Sequence, residues 1–102
     1  MKILDPAFPQ APQQVNNLLE QPGYKAGTAR IRQGEWVPPQ GYSSHDQNEF
    51  SVILSGELEV ESGGQAYRLV AGQASLIPAH EAHRARAVTD TELYWVLFDR
   101  VD

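Results

Sequence analysis

Short runs of apolar residues alternate with polar ones from Ala26 onward and are separated by glycine or proline. This period of two is typical of strands that bury one face. The pair Gly63-Gly64 lies between two such runs and predicts a tight hairpin. The pattern therefore predicts an all-β region over 26–98, with strands at 28–33, 49–55, 57–62, 65–70, 74–77, 84–88 and 92–98.

The residues before Ala26 follow a different pattern. Prolines interrupt residues 1–12, which predicts an extended arm lying across a sheet of its own chain or of a partner subunit. Val15, Leu18 and Leu19 have helical spacing, and Pro22-Gly23 would stop a helix, so a short helix is predicted over 12–21. Because an isolated helix of this length is marginal, its apolar side must pack against something.

The strand predicted at 49–55 has two contrasting faces. Glu49, Ser51 and Ile53 share one face, which we expect to point inward. The alternate positions, on the outer face, are Phe50, Val52 and Leu54. These three side chains cannot all be exposed, so we expect the N-terminal helix or a second copy of the chain to cover them. The strand at 92–98 is apolar on both faces, and together these stripes predict a homodimer packed sheet to sheet.

Side chains able to bind metal cluster near the start of this strand. His45, Gln47 and Glu49 have the same parity, so they point the same way on an extended chain. An imidazole and a carboxylate can together bind a first-row divalent cation. Two more histidines, His80 and His83, follow a later apolar run. The sequence therefore offers a site that several strands could build together.

These residues lie in two motifs that resemble those of the cupin superfamily, across roughly residues 26–98. The first cupin motif is His-x-His, three or four residues, Glu, six residues and Gly; the second is Gly-x5-Pro-x-Gly-x2-His-x3-Asn. The matching positions are Ser43, His45, Glu49 and Gly56, and then Gly72, Pro78, His80, His83 and Ala87. The spacing is kept, but Ser43, His80 and Ala87 replace the family's His, Gly and Asn.

The resemblance implies both a fold and a ligand set. The fold is a double-stranded β-helix, a jelly-roll-like barrel, to which this chain would add its short N-terminal helix. The implied metal ligands are His45, Glu49 and His83, with Gln47 either a fourth ligand or a polar residue on the barrel lip. Two histidines and one carboxylate with open positions suit a divalent iron, manganese, nickel or zinc ion.

Two functions remain open at this point. The first is a metal-dependent enzyme that performs isomerase, dioxygenase or ring-opening chemistry on a small oxygenated substrate, with His80 or Tyr42 at the barrel mouth transferring protons. The second is a metal-free module that binds a sugar or small acid, in which Ser43 marks an abandoned metal site. Similar sensor domains are usually fused to a DNA-binding domain; none accompanies this barrel, which favours the enzyme.

Length, composition and charge limit the number of domains, the types of metal ligand and the kinds of partner. The 102 residues predict one domain over 1–102, with the arm and helix at 1–25 and the barrel at 26–98. The chain has no cysteine, so a metal must be held by nitrogen and oxygen. A net charge of −5 without a basic run argues against nucleic acid. No stretch suits a membrane span or a signal peptide, so we expect a cytoplasmic protein whose partners are a small-molecule ligand and a second copy.

Overall fold

The computed structural model describes residues 1–100 and is all-β. The strands are β1 (Val15–Gln21), β2 (Tyr24–Ile31), β3 (Trp36–Val37), β4 (Asn48–Ser62), β5 (Gln65–Val70), β6 (Ala74–Ile77) and β7 (His83–Phe98). They pair antiparallel in the order β1-β2-β7-β4-β5, with β3 added on β7 and β6 on β4. No helix that could cross a membrane occurs among the described residues.

Two long strands bend around the interior. The sequence predicted strands at 49–55 and 57–62, and at 84–88 and 92–98, but each pair is one continuous strand, β4 or β7. The register of β4 on β7 shifts around Gly56, whose φ is 91°. A Cβ at Gly56 would collide with the carbonyl oxygen of Asp90. At this bulge β4 passes from its pairing with β6 to its pairing with β5, so its two halves can face one interior.

The helix predicted over 12–21 is wrong, because most of this segment forms strand β1. Pro22-Gly23 turns the chain back, and β1 pairs with β2 from Val15 to Gln21. This pairing uses backbone groups that a short helix would leave unsatisfied at both ends. A bulge between Asn17 and Leu19 offsets the parity of β1. Across the offset, Val15 pairs with Ala29 and Leu19 with Ala26, which lie on opposite faces of β2, so Val15 and Leu19 do not share the single face that a helix would give them.

The arm before β1 packs on its own chain. Pro9 is fully buried, and the carbonyl of Ala7 accepts a hydrogen bond from the hydroxyl of Thr28 in β2. The ring of Phe8 lies 6.1 Å from that of Tyr94 in β7, measured between centroids. The arm therefore lies across β2 and β7 of its own sheet, the first of the two arrangements that the sequence left open.

The core lies between the inward faces of the bent strands. It is built from aliphatic and aromatic side chains, among them Ile31, Ile53, Leu58, Leu93 and Trp95. Ser51 and Ile53 are buried, as predicted from their parity with Glu49. On the outer face, Phe50 and Leu54 are exposed at 41% and 42%. No helix occurs within residues 1–100 to cover them, and the arm covers a different part of the sheet.

Candidate functional site

Two histidines and one glutamate converge where the sequence places them. His45 precedes β4, Glu49 is the second residue of β4, and His83 begins β7. One potential ligand atom from each of the three lies within 4.8 Å of the others. The Nε2 atoms of His45 and His83 lie 3.4 Å and 3.7 Å from the same oxygen, Oε1 of Glu49. The three side chains therefore surround one point, at the spacing that a bridging cation requires.

The backbone and a neighbouring carbonyl orient His83. Its amide donates to the carbonyl of Ser43 over 2.9 Å, and its carbonyl accepts from the amide of Ser43 over 2.8 Å. Its Nδ1 lies 2.9 Å from the carbonyl oxygen of Glu81, which can only accept. This contact assigns the proton of neutral His83 to Nδ1 and leaves the Nε2 lone pair facing Glu49. A ring held in this way is the usual arrangement of a metal-binding histidine.

The donor set fits a divalent cation. A neutral His83 with its proton on Nδ1 has no proton on Nε2 to donate. The Nε2 lone pair of His83 therefore faces the Glu49 carboxylate without a hydrogen bond between them. A cation between them would attract both. The exposed fractions of the side chains are 11% for His83, 22% for Glu49 and 34% for His45. The cluster is thus partly buried, and His45 is its most exposed member.

The cluster lines a half-open cavity of about 310 Å³. Besides the three residues, its polar lining includes Ser43, Ser51 and Ser75. Most of the remaining lining is aliphatic, or in the case of Trp95 aromatic. The size is at the lower end of the range for small-molecule sites, which is about 300–1,000 Å³. A compact molecule can enter and lie against the cluster.

Gln47, His80 and Tyr42 lie outside the lining of this cavity. The Gln47 amide donates to the carboxylate of Asp99 over 2.8 Å, so its part as a fourth ligand stays a prediction. His80 is exposed, and its backbone amide donates to the carbonyl of His45. Tyr42 is 55% exposed, and its hydroxyl donates to Glu61. The proton-transfer roles expected for His80 and Tyr42 likewise stay predictions.

Arg84 organises a charged cluster beside the cavity. Its guanidinium carbon lies 4.5 Å from the ring centroid of Trp36 and 4.6 Å from that of Tyr42. Hydrogen bonds from Arg84 and Tyr42 lower the pKa of the Glu61 carboxyl. The same bond to Glu61 raises the pKa of the Tyr42 hydroxyl. Tyr42 is therefore held as a neutral donor to Glu61, and Arg84 is stacked and paired on the outer side of β7.

Sequence reasoning did not single out the two cationic residues of the cavity lining, Arg84 and Lys25, and the position of Lys25 is the more informative. Its register partner on β7 is Leu97, which is also the partner of Glu49 on the other side. Lys25 and Glu49 therefore lie two strands apart in one row across the sheet. The parity of Lys25 with Ala29 and Ile31 would have placed it inward. The predicted strand began at residue 28, so that signal was not used.

Several solved structures are similar to this fold. A conserved protein of unknown function from Streptococcus pyogenes has a TM-score of 0.79 and 22% identity, with 99% of this chain and 90% of that one covered. KdgF from Halomonas sp. has a TM-score of 0.73 and 25% identity, with 87% and 80% covered. A provisionally named mannose-6-phosphate isomerase from Ralstonia eutropha JMP134 has a TM-score of 0.76 and 26% identity, with 88% of each chain covered.

No curated protein matches the chain. The family model of the cupin domain matches residues 27–99, a range that holds His45, Glu49 and His83 and most of the sheet. Because this match spans well over half of the sequence, the chain belongs to the cupin family.

Proposed function

We propose that this protein is a metal-dependent enzyme acting on a small oxygenated molecule, with a divalent iron, manganese, nickel or zinc ion held by His45, Glu49 and His83. One observation carries the proposal: two imidazole Nε2 atoms face the same carboxylate oxygen, and the Glu81 carbonyl keeps His83 in the metal-binding tautomer. Three protein ligands leave coordination positions open to substrate, as catalytic sites require.

The cation, when bound, polarises a carbonyl or hydroxyl oxygen of the substrate. Glu49, His45 and His83 would hold the cation. The hydroxyls of Ser51 and Ser75 line the same cavity and would contact the substrate as neutral donors or acceptors. His80 and Tyr42 are proposed as proton-transfer groups that reach the mouth when substrate is bound, with Gln47 as an additional ligand.

Isomerase, dioxygenase and ring-opening reactions all suit such a site. The relative from Ralstonia eutropha, at 26% identity, is named provisionally as a sugar-phosphate isomerase, which supports isomerisation among the three. An isomerase moves protons between neighbouring carbon and oxygen atoms, so it needs a base beside a polarised oxygen. The cation would polarise the oxygen, and His80 would be the base. Tyr42, whose hydroxyl pKa is raised by its hydrogen bond to Glu61, would act as a proton donor.

Metal content tests the proposal directly. The protein is purified without added metal and analysed for elements, and it is then titrated with Zn²⁺ and Mn²⁺ by calorimetry. We expect one equivalent of metal in the wild type and none in His83→Ala, because His83 is a ligand. The control is His80→Gly, which removes an imidazole from the same loop and should keep the full equivalent. Equal metal content in wild type and His83→Ala would refute the proposed site.

A metal-free binding module is the second candidate, and the observation that favours it is Ser43. Ser43 and His83 are direct partners in an antiparallel bridge, so their side chains project to the same side. A histidine at position 43 would therefore stand beside His83, and the serine hydroxyl is a weak ligand in its place.

The substitution Ser43→His separates the two candidates. If the wild type already binds metal, Ser43→His should tighten binding by at least about tenfold, as expected when a ligand is added. A wild type without metal that gains an equivalent on Ser43→His would instead favour the binding module. The titration that measures both variants is the calorimetric one, with Ser44→His as a control on the neighbouring, exposed position.

A further inference from the structure

Polar residues line the cavity at the level of the metal cluster. One row across the sheet joins Ile77, Glu49, Leu97 and Lys25 on neighbouring strands. On the other side of the cavity, the corresponding row joins Ser62, His83 and Ser43. This end of the cavity therefore carries a carboxylate, a histidine and an ammonium group.

Further into the cavity from the metal cluster, the rows of paired residues across the sheet become apolar. Two residues further along β4, Ser51 is opposite Trp95, and two further again Ile53 is opposite Leu93. On the other side of the cavity, Val60 is opposite Ala85 and Leu58 opposite Ala87. Ile53, Leu58 and Ala87 are almost completely buried. The deep end of the cavity therefore offers no charged side chain and few hydrogen-bonding groups to a ligand.

Lys25 is the cation available to a ligand at the open end. The other cationic residue in the lining, Arg84, is paired with Glu61 and stacked between two aromatic rings. Among the ion pairs of residues 1–100, none involves Lys25. Lys25 and Glu49 lie on strands separated only by β7, which places their backbones roughly 9.5 Å apart. Because both residues line the cavity, a carboxylate bound between their strands would lie close to both side chains.

A sugar would match this cavity poorly, so the name of the Ralstonia eutropha relative supports the type of reaction and not a sugar phosphate as the substrate. Hydroxyl groups at the deep end would lose water and find no partners among Ile53, Leu58 and Leu93, which disfavours binding. A hydrocarbon body would bury apolar surface in the same place. The volume, about 310 Å³, equals that of roughly ten water molecules in the liquid, so the body must be short or a single ring.

Resting on the proposed function, we infer that the substrate class of this site is a small carboxylic acid with an apolar body. Its carboxylate lies between Lys25 and the cluster of His45, Glu49 and His83. Its hydrocarbon body extends along Trp95 toward Ile53 and Leu93. Lys25 is thus a specificity-determining residue, and the deep aliphatic rows set the length of the body.

A series of linear alkanoates tests the inference by calorimetry, from acetate to decanoate, with mannose as the polar comparison. We expect affinity to rise about fourfold for each added methylene, which corresponds to about 0.8 kcal/mol per buried CH₂, until the cavity is full. Affinity should then stop rising, and mannose should bind more weakly than hexanoate. Affinity that does not depend on chain length, or mannose binding more tightly, would overturn the inference.

Two variants test where the carboxylate and the hydrocarbon chain of the ligand bind. Lys25→Met should weaken hexanoate at least about tenfold, the loss of one charge-assisted hydrogen bond, and leave hexanol unchanged. Lys2→Met is the matched control, since Lys2 is the other lysine of the sequence and is exposed. Ala29→Leu adds volume at the deep end, beside Leu93, and should stop the rise in affinity at a shorter acid. Equal effects of Lys25→Met on acid and alcohol would contradict the assigned role.

Repeating the series after treatment with a chelator separates this inference from the proposed function. If the protein binds no metal but the dependence on chain length persists, the proposed metal enzyme fails and the apolar-acid site stands. If metal binds at one equivalent but chain length has no effect, the apolar-acid site fails and the metal centre stands.

Discussion

His80 is the non-glycine residue with a left-handed backbone among residues 1–100, with φ of 70°. The conformation points its amide at the carbonyl of His45, to which it donates. The backbone of His80 thus anchors the segment that carries a proposed metal ligand. The cupin motif has glycine at this position, and the structure explains that preference, because glycine adopts positive φ without steric strain.

The substitution His80→Gly should stabilise the fold. This conformation costs a residue with a Cβ roughly 1–2 kcal/mol of strain, which glycine avoids. Fixing the more flexible glycine backbone costs about half of that gain in entropy, so we expect the free energy of unfolding to rise by up to about 1 kcal/mol. Urea denaturation measures the change. His80→Ala is the control, and it should bring no gain because it keeps a Cβ. A His80→Gly variant less stable than His80→Ala would show that the imidazole itself contributes to stability.

At the scale of the element, the bend of β4 depends on Gly56. Its φ of 91° is unfavourable for other residues, and a Cβ would also meet the backbone of Asp90 and Thr91. We expect Gly56→Ala to destabilise by at least about 2 kcal/mol in urea denaturation, since both effects act together. Gly64→Ala is the matched control: it has positive φ of 79° but open space around it. Equal losses in the two variants would mean that the close approach is unimportant.

The bounds of the strands were predicted well from sequence periodicity in some places and poorly in others. Where the pleat is regular, as in β5 and β6, the predicted bounds at 65–70 and 74–77 agree with the structure. Where a bulge interrupts the pleat, the alternation of apolar and polar residues is also interrupted. The strand around the bulge in β1 shows no period of two, so the spacing of Val15, Leu18 and Leu19 was interpreted as a helix. The bulge at Gly56 divided β4 into two predicted strands. Short β3 had too few residues to show any period.

Part of the candidate site could be predicted from the sequence, and part of it could not. The convergence of His45 and Glu49 with His83 was predicted from parity and motif spacing, and the three side chains do lie together. The contact of His83 with the Glu81 carbonyl depends on a loop backbone that no side-chain pattern describes. Lys25 was missed because β2 begins four residues earlier than predicted.

At the scale of the whole molecule, an apolar row crosses the outer face of the sheet. Register places Leu76, Phe50, Val96 and Ala26 side by side on β6, β4, β7 and β2. Leu76 is 61% exposed, and Phe50 beside it is also exposed. The N-terminal arm covers only the neighbouring part of this face, around Thr28 and Tyr94. A row of this kind is an interaction surface that a second copy can cover symmetrically.

We therefore predict a homodimer packed through this row, with the arm of each subunit remaining on its own chain. Light scattering at micromolar concentration should give twice the mass of the 11.3 kDa chain. Phe50→Asp places a charge at the centre of the row and should raise the dissociation constant at least about a hundredfold, as for loss of a central apolar anchor. Tyr67→Asp is the control, because Tyr67 is an aromatic residue at least as exposed as Phe50 but lies on β5, away from the row. A wild type with the mass of a single chain would refute the dimer, and the outer face would then be open to other partners.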